Sequence, residues 1–364
     1  MFGDRLKLAR KKARYSLRAL SEALDNEVTA QAIGKYERGE MMPSSGVLMH
    51  MARILGVTLD FLLSDQVEEL EGLEFRKLSG TRAKERAGVE AEVIDHLQRY
   101  LAIEEILDLE SSAWRAPRLG NRFLGQEGDG EILAQNLRRE WKLGIDPIPN
   151  MTSLLEDRGI KVLVIALPGR VSGLTCLVRR PGHDTLVPAI VVNEHVTLER
   201  RRLTLAHELA HRLIDESSPV DQEKACHVFA GAFLVPREHL VQEIGERRKA
   251  LGYRELIQLK RMYRISGAAL LVRLKQVGVI DGSTLTYAFQ TYARRWRSDE
   301  PEPLEGADDR GKRENPQRFE RLCFRALAEG LVSPGKTSEL LRQPLAVIEK
   351  GIKGPAAGDA HRGQ

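Results

Sequence analysis

Two histidines and a glutamate stand at a spacing that serves metal chemistry: His207-Glu208-Leu209-Ala210-His211. Residues four apart share one face of a helix, so both imidazoles reach a single ion. Glu208, one step past the first imidazole, turns beside them to where an attacking water would sit. The pattern therefore predicts two zinc ligands and a general base. Leu203, Ala206, Ala210, Leu213 and Ile214 supply the apolar flank that would bury such a helix. Two imidazoles alone hold zinc weakly, so a third protein ligand is required. Glu223, twelve residues after His211 on the next expected helix, is one candidate, and His227, one turn further on, is its rival. His227 also suits a supporting hydrogen bond or a substrate contact. Asp215 and Asp221 fit caps or solvated charges better, and Cys226, beside Val228 and Phe229, reads as a small core residue. No residue type or spacing singles out a group to stabilise an oxyanion.

The elements that must position these residues follow from patterning. VLVIAL (162–167) and AIVVN (189–193) are strand-like, with Pro168-Gly169 and Pro181-Gly182 as turns between them. Helices are expected over 130–143, 198–215 and 219–234, and the order helix, strands, helices is α+β rather than alternating βαβ. Tyr253 to Ile265 and Gly267 to Val277 form a further helix pair, capped at their junction by Ser266. Residues 126–250 then hold the metal site, and 251–364 form a helical C-terminal region. Within that region 297–316 is charged and rich in Pro and Gly, which predicts a flexible linker. Arg318 to Leu341 is a last helical unit before a Gly-rich tail expected to be disordered.

The 364 residues exceed one ordinary domain, and 42 % hydrophobic with 30 % charged residues predicts a globular, water-soluble chain. The net charge of +4 is too small for wholesale coating of nucleic acid or membrane, so any basic patch is local. Three scattered cysteines without a CxxC rule out a disulfide framework and suit a reducing cytoplasm. The start, MFGDRLKLARKK, lacks an apolar signal core, and no apolar run approaches the ~18 residues of a membrane span. Residues 65–110 carry thirteen acidic and six basic side chains, a local net of −7, so 65–125 is expected to be an acidic helical linker.

Residues 1–64 read as five short helices sharing one core. Ser16, Thr29 and Ser44 stand where caps would open helices, and Gly39 and Gly56 where helices would end. Tyr15-Ser16-Leu17-Arg18-Ala19-Leu20 through Glu37-Arg38-Gly39, with the following PSSGVLMHMARILGVTLDFLL, resembles the XRE, phage-repressor-like, helix-turn-helix family. The resemblance implies binding to double-stranded DNA, with Thr29 to Glu37 as recognition helix. Ala30, Gln31 and Lys35 would face the bases, Gln31 being able to pair with adenine in bidentate fashion. Arg18 and Arg38 would meet phosphates, and the seven basic and one acidic side chains of residues 1–18 add a local +6. Such domains engage paired half-sites as dimers, which implies a homodimer. Ser21 departs from the family, which usually has a small Ala packing the two helices.

TLAHELAHRLI (204–214), followed by EKACHVFAGAFLVP (223–236), is similar to the ImmA/IrrE family of zinc metallopeptidases. In that family a Glu of the second helix completes the metal site, which maps onto Glu223. ELIQLKRMYRISGAALLVRLKQVGVI (255–280) and NPQRFERLCFRALAEGLVSPGKTSELL (315–341) resemble the longer members, and many members of the family carry Asn at the position of His227. The two resemblances together imply a multidomain, mainly α protein with a small α+β metallopeptidase unit. They imply a cytoplasmic, nucleoid-associated enzyme that cuts a partner repressor to control a stress or mobile-element response. The alternative is a transcription regulator or antitoxin-like factor whose peptidase fold senses a ligand without cleaving it.

Overall fold

The local signals of the first 63 residues produce helices where they stand. In a computed structural model, α1 (Phe2–Ala13), α2 (Leu17–Ala23), α3 (Ala30–Glu37), α4 (Ser45–Leu55) and α5 (Leu59–Leu63) pack around Leu6, Leu20, Ile33, Met51 and Phe61. The hydroxyls of Ser16, Thr29 and Ser44 each accept the N–H three residues on, as N-caps do. Gly56 closes α4 at φ 63°, a left-handed conformation that favours glycine. Ser21 is buried and donates to the Val28 carbonyl at 2.6 Å, so serine at this packing position leaves no hydroxyl unsatisfied. The structure describes residues 2–63, 66–72, 83–109, 114–120, 122–169, 171–306, 309 and 312–353. Among them are seventeen α-helices and one four-stranded sheet, a mostly helical multidomain architecture. No described helix is long and apolar enough to cross a membrane.

The segment expected to be an acidic helical linker does hold a helix, but its strand and helix are packed into the fold rather than free. Glu69–Glu71 is strand β1, and α6 (Ala83–Ile106) is a buried helix against which α1 packs. Charge composition misleads here because the buried acids are paired with distant residues. Glu104 accepts from Lys161 Nζ at 2.6 Å, and Asp95 pairs with Arg99 and with Arg342. Val89, Val93, Leu97 and Leu101 then join the helix-turn-helix core.

After α7 (Asp129–Glu140) and α8 (Met151–Asp157) come β2 (Lys161–Ile165), β3 (Gly173–Arg179) and β4 (Val187–Asn193). The sheet order is β1-β3-β4-β2, with β2 parallel to β4 and the other pairs antiparallel. Alternate residues of a strand face opposite sides, and here the two sides serve two cores. Val187, Ala189 and Val191 meet the helix-turn-helix side, whereas Ile190 and Val192 meet α9 (Leu198–Leu213) and α10 (Gln222–Leu234). The sheet is thus a wall shared by both halves of the molecule.

The α9–α10 core extends through α11 (Arg237–Ile244), α12 (Tyr253–Tyr263), α13 (Gly267–Val277) and α14 (Gly282–Gln290) as far as Trp296. The boundary expected at residue 250 therefore falls inside one core. Residues 297–316, expected to be a flexible linker, form a strap wherever described. Glu300 accepts from Gly267 N at 2.7 Å, Glu302 O from Lys260 at 3.0 Å, and the Leu304 N–H donates to Glu199 at 2.9 Å. Glu314 ends a 3-10 turn (Lys312–Glu314) and binds Arg202. Pro and Gly marked an irregular path here, and buried ion pairs hold it. The expected helical unit 318–341 is two helices, α15 (Arg318–Ala328) and α16 (Pro334–Leu341), parted at Gly330 with φ 73°. α17 (Leu345–Lys353) follows, and the tail from 354 lies outside the described residues. α15 and α16 pack Phe319, Leu322 and Leu340 against Tyr100 and Ile103 of α6.

Candidate metal centre

α9 crosses the sheet because its Leu205, Leu209 and Leu213 follow a helical stripe onto Ile190 and Val192. Its ends are fixed by specific bonds. Thr197 caps the first turn, and Arg122 donates to the Leu213 and Arg212 carbonyls at 2.6 Å each. An arginine on the last free carbonyls opposes the negative helix end. α10 runs back along α9, opened by Asp221, whose side chain accepts from Lys224 N at 3.1 Å. Gly130 lets α7 approach α10 closely, since a Cβ there would lie 2.8 Å from the Ala225 carbonyl.

This arrangement brings His207, His211 and Glu223 to one point. His207 Nε2 lies 3.1 Å from Glu223 Oε2, His211 Nε2 lies 3.2 Å from His207 Nε2, and His211 Nε2 lies 3.4 Å from Glu223 Oε1. Tetrahedral zinc with ligands at ~2.0–2.1 Å requires ligand–ligand edges of about 3.3–3.4 Å. Two ring nitrogens and two carboxylate oxygens face one another at the spacing of ligands around one ion, with both imidazoles on the same face of α9. The donor set fits zinc. The histidine side chains are 9 % and 6 % exposed and that of Glu223 56 %, so the centre opens on Glu223's side.

Glu208 lies one residue along from His207 and is only 2 % exposed. Gly173 of β3 stands beside it. A Cβ at Gly173 would meet Thr204 Cγ2 at 2.4 Å, Val191 O at 2.9 Å and Glu208 Cγ at 3.5 Å. Glycine therefore keeps the strand close to the carboxylate-bearing turn. The His227 ring lies 4.5 Å from that of His207 at 49°, which places it against the centre. Cys226 is fully buried, and its Sγ falls in one cluster with His207 and His211, all ligand atoms within 4.8 Å. Beside His211 opens a cavity of about 500 Å³ lined by Trp114, Leu177, Leu186 and Pro188 on one hand and by the charged Arg122, Arg212, Asp215 and Glu216 on the other.

Sequence reasoning missed Gly173, Arg122 and the buried charges of α9. Arg201 and Arg202 are 1 % and 0 % exposed, and Glu199 pairs with Lys260 at 2.7 Å with both side chains fully buried. Their signal was present. LERRR (198–202) surrounds the helix with charge just where the apolar stripe requires burial.

The residues read as DNA-facing occupy an exposed surface. Gln31, Lys35 and Arg38 are exposed and Ala30 partly so, while Ile33 and Tyr36 of the same helix are buried. Arg18 pairs with Glu22 at 3.2 Å and Arg38 with Glu40 at 2.5 Å, all exposed. Ion pairs as exposed as these are weak, screened by water and salt. Two of the basic groups counted toward the local +6 are committed to the fold. Arg5 is buried and donates to the Val67 carbonyl, and Arg10 holds Glu37 at 2.5 and 2.9 Å.

Comparison with known proteins finds matches to two separate segments of the chain. Residues 6–62 match the helix-turn-helix family model, and residues 155–275 match the IrrE N-terminal-like domain. Sixty-three residues, 17 % of the chain, are 43 % identical to the SPbeta prophage-derived uncharacterized HTH-type transcriptional regulator YonR of Bacillus subtilis (strain 168). The match covers 56 % of that relative, so the chain spans a little over half of its length. This chain thus carries one segment, residues 6–62, that matches helix-turn-helix domains and a second, residues 155–275, that matches IrrE N-terminal-like domains.

Proposed function

We propose that this protein is a zinc-dependent endopeptidase that docks on double-stranded DNA and cuts a partner regulatory protein, a repressor in the simplest case. The observation that carries the reading is the convergence of His207, His211 and Glu223 with Glu208 buried beside them. A zinc ion held there would polarise a scissile carbonyl and acidify a water at neutral pH. Glu208 accepts the proton of the attacking water and hands it to the departing amine, a general-base and then general-acid role. His207, His211 and Glu223 are the ligands, and His227 contacts the site from beside His207. The cavity next to His211, lined by both apolar and charged side chains, has room for a side chain of an extended peptide. Gln31, Lys35 and Ala30 read the major groove, while Arg18 and Arg38 hold phosphates. Two copies would occupy paired half-sites, in the cytoplasm at the nucleoid.

The test is direct. Zinc-loaded protein is incubated with purified repressors encoded near its own gene, and the products are resolved by mass. A discrete cut that disappears in Glu208→Gln supports the peptidase. A Glu208→Gln strain that behaves as wild type would assign the protein to regulation by binding alone, the class its prophage relative is named for.

A further inference from the structure

We propose that Cys226 is a second third-ligand of the metal centre, so that His207, His211 and Cys226 retain zinc when Glu223 is withdrawn. The proposal rests on the metal-centre reading above and adds a ligand to it. Glu223 and Cys226 lie three residues apart on α10 and thus on the same face, one turn removed from each other. Both turns are presented to the same pair of imidazoles. Cys226 Sγ belongs to a cluster with His207 and His211 whose ligand atoms all lie within 4.8 Å of one another. In a tetrahedral N–Zn–S unit that edge is about 3.6 Å, so ligation asks for a shift of no more than about 1 Å.

The two candidate ligands differ in freedom. The Glu223 side chain is 56 % exposed and able to turn out to solvent, whereas Cys226 is fully buried and forms no disulfide. A carboxylate competing with water for the ion is the hard, exchangeable ligand, and a thiolate is the soft, tenacious one. His227 does not substitute in the same way, because its cluster contains Glu223 itself and lacks His211. Cys176 and Cys323 belong to no such cluster among the described residues, so they serve as internal controls. A His–His–Cys set still leaves a position open on the metal, so the centre keeps its zinc while the outer ligand moves.

The experiment is cobalt(II) titration of the full-length protein, followed in the near-ultraviolet for thiolate-to-cobalt charge transfer. Wild type, Glu223→Ala, Cys226→Ala and the double variant are compared, with zinc content measured in parallel. Glu223→Ala is expected to bind more weakly than wild type but still stoichiometrically, and to show the thiolate band. Cys226→Ala is expected to bind without that band, and the double variant to lose stoichiometric binding. Circular dichroism checks that each variant is folded, and Cys226→Ser replaces Cys226→Ala if alanine perturbs α10. A Glu223→Ala protein without the band, or one binding as weakly as the double variant, overturns the proposal. Wild type that binds neither cobalt nor zinc overturns the metal-centre reading instead, a distinguishable failure.

Discussion

Arg202 and Glu314, 112 residues apart in the chain, form an ion pair in which both side chains are essentially inaccessible to water. Glu314 also accepts from Met151 N at 3.0 Å, and its carbonyl accepts from Thr152 Oγ1 at 2.8 Å. The other amine of Arg202 donates to the Ile148 carbonyl at 2.7 Å. One carboxylate therefore ties the strap to α8 and to α9, five residues before His207.

Glu314→Ala leaves a buried guanidinium without its counter-charge, and the expected loss of unfolding free energy is about 3–5 kcal/mol. Replacing both members by apolar residues of similar volume should restore much of that loss, because neither charge then needs solvation. Urea titration of the single and double variants measures both. A loss below ~1 kcal/mol for Glu314→Ala would return the strap to the status of a loose connector.

Glu208→Gln tests the chemistry apart from the metal. The amide keeps the shape of the side chain and does not accept a proton, and Glu208 is not among the converging ligand atoms. Zinc content and melting temperature should stay at wild-type values. Cleavage of the partner should fall on the order of 10²- to 10⁴-fold, the usual contribution of a general base. Zinc loss in this variant would mean that Glu208 is a ligand.

Gln31→Ala and Arg18→Ala should separate reading from holding. The first is expected to relax base preference, and the second to weaken binding to every sequence and flatten the salt dependence by about one counterion. Arg38→Ala belongs with Arg18→Ala, after allowance for the exposed carboxylates each now meets. Deleting residues 1–64 is a poorer instrument. It strips α1 from α6 and bares Val89, Val93 and Leu97, so the remainder should aggregate or melt early. Gel-shift titration across salt concentrations, with zinc content as the control for folding, resolves these expectations.

What was legible in the sequence was local. The caps Ser16, Thr29 and Ser44 act within four residues, and the His207–His211 spacing lies within one helix. The strands near 162–167 and 189–193 are continuous apolar runs. β3, by contrast, begins with a glycine and contains Thr175 and Arg179, and it is a strand because β4 offers it a partner. The charged stretches misled for one physical reason. Composition counts a charge without its partner, and the partners here lie far along the chain: Lys161 for Glu104, Arg342 for Asp95, Arg202 for Glu314. Cys226 looked like core and is core, yet only the antiparallel return of α10 places its sulfur beside two imidazoles.

The C-terminal helices should confer an acid sensitivity traceable to one imidazole. His96 of α6 packs on Phe319 of α15, ring centroids 5.6 Å apart. Burial there, with Arg99 and Arg342 nearby, holds its pKa well below the ordinary value. The native ring therefore stays neutral in a range where the unfolded ring, with pKa ~6.5, takes up a proton. The unfolded state binds more protons, so stability falls as pH drops below ~6.5 and continues to fall until the native ring also titrates. The slope from this group approaches, and does not exceed, about 1.4 kcal/mol per pH unit. His96→Phe keeps an aromatic ring against Phe319 and removes the proton site, so its stability should decline less between pH 6.5 and 5 than wild type's. Most carboxylates stay ionised in that interval, and the remaining histidines are common to both proteins, so the difference between the two curves isolates His96. Parallel curves from denaturant melts across the interval would show that the ring is solvated, and that α15 does not cover α6 as described.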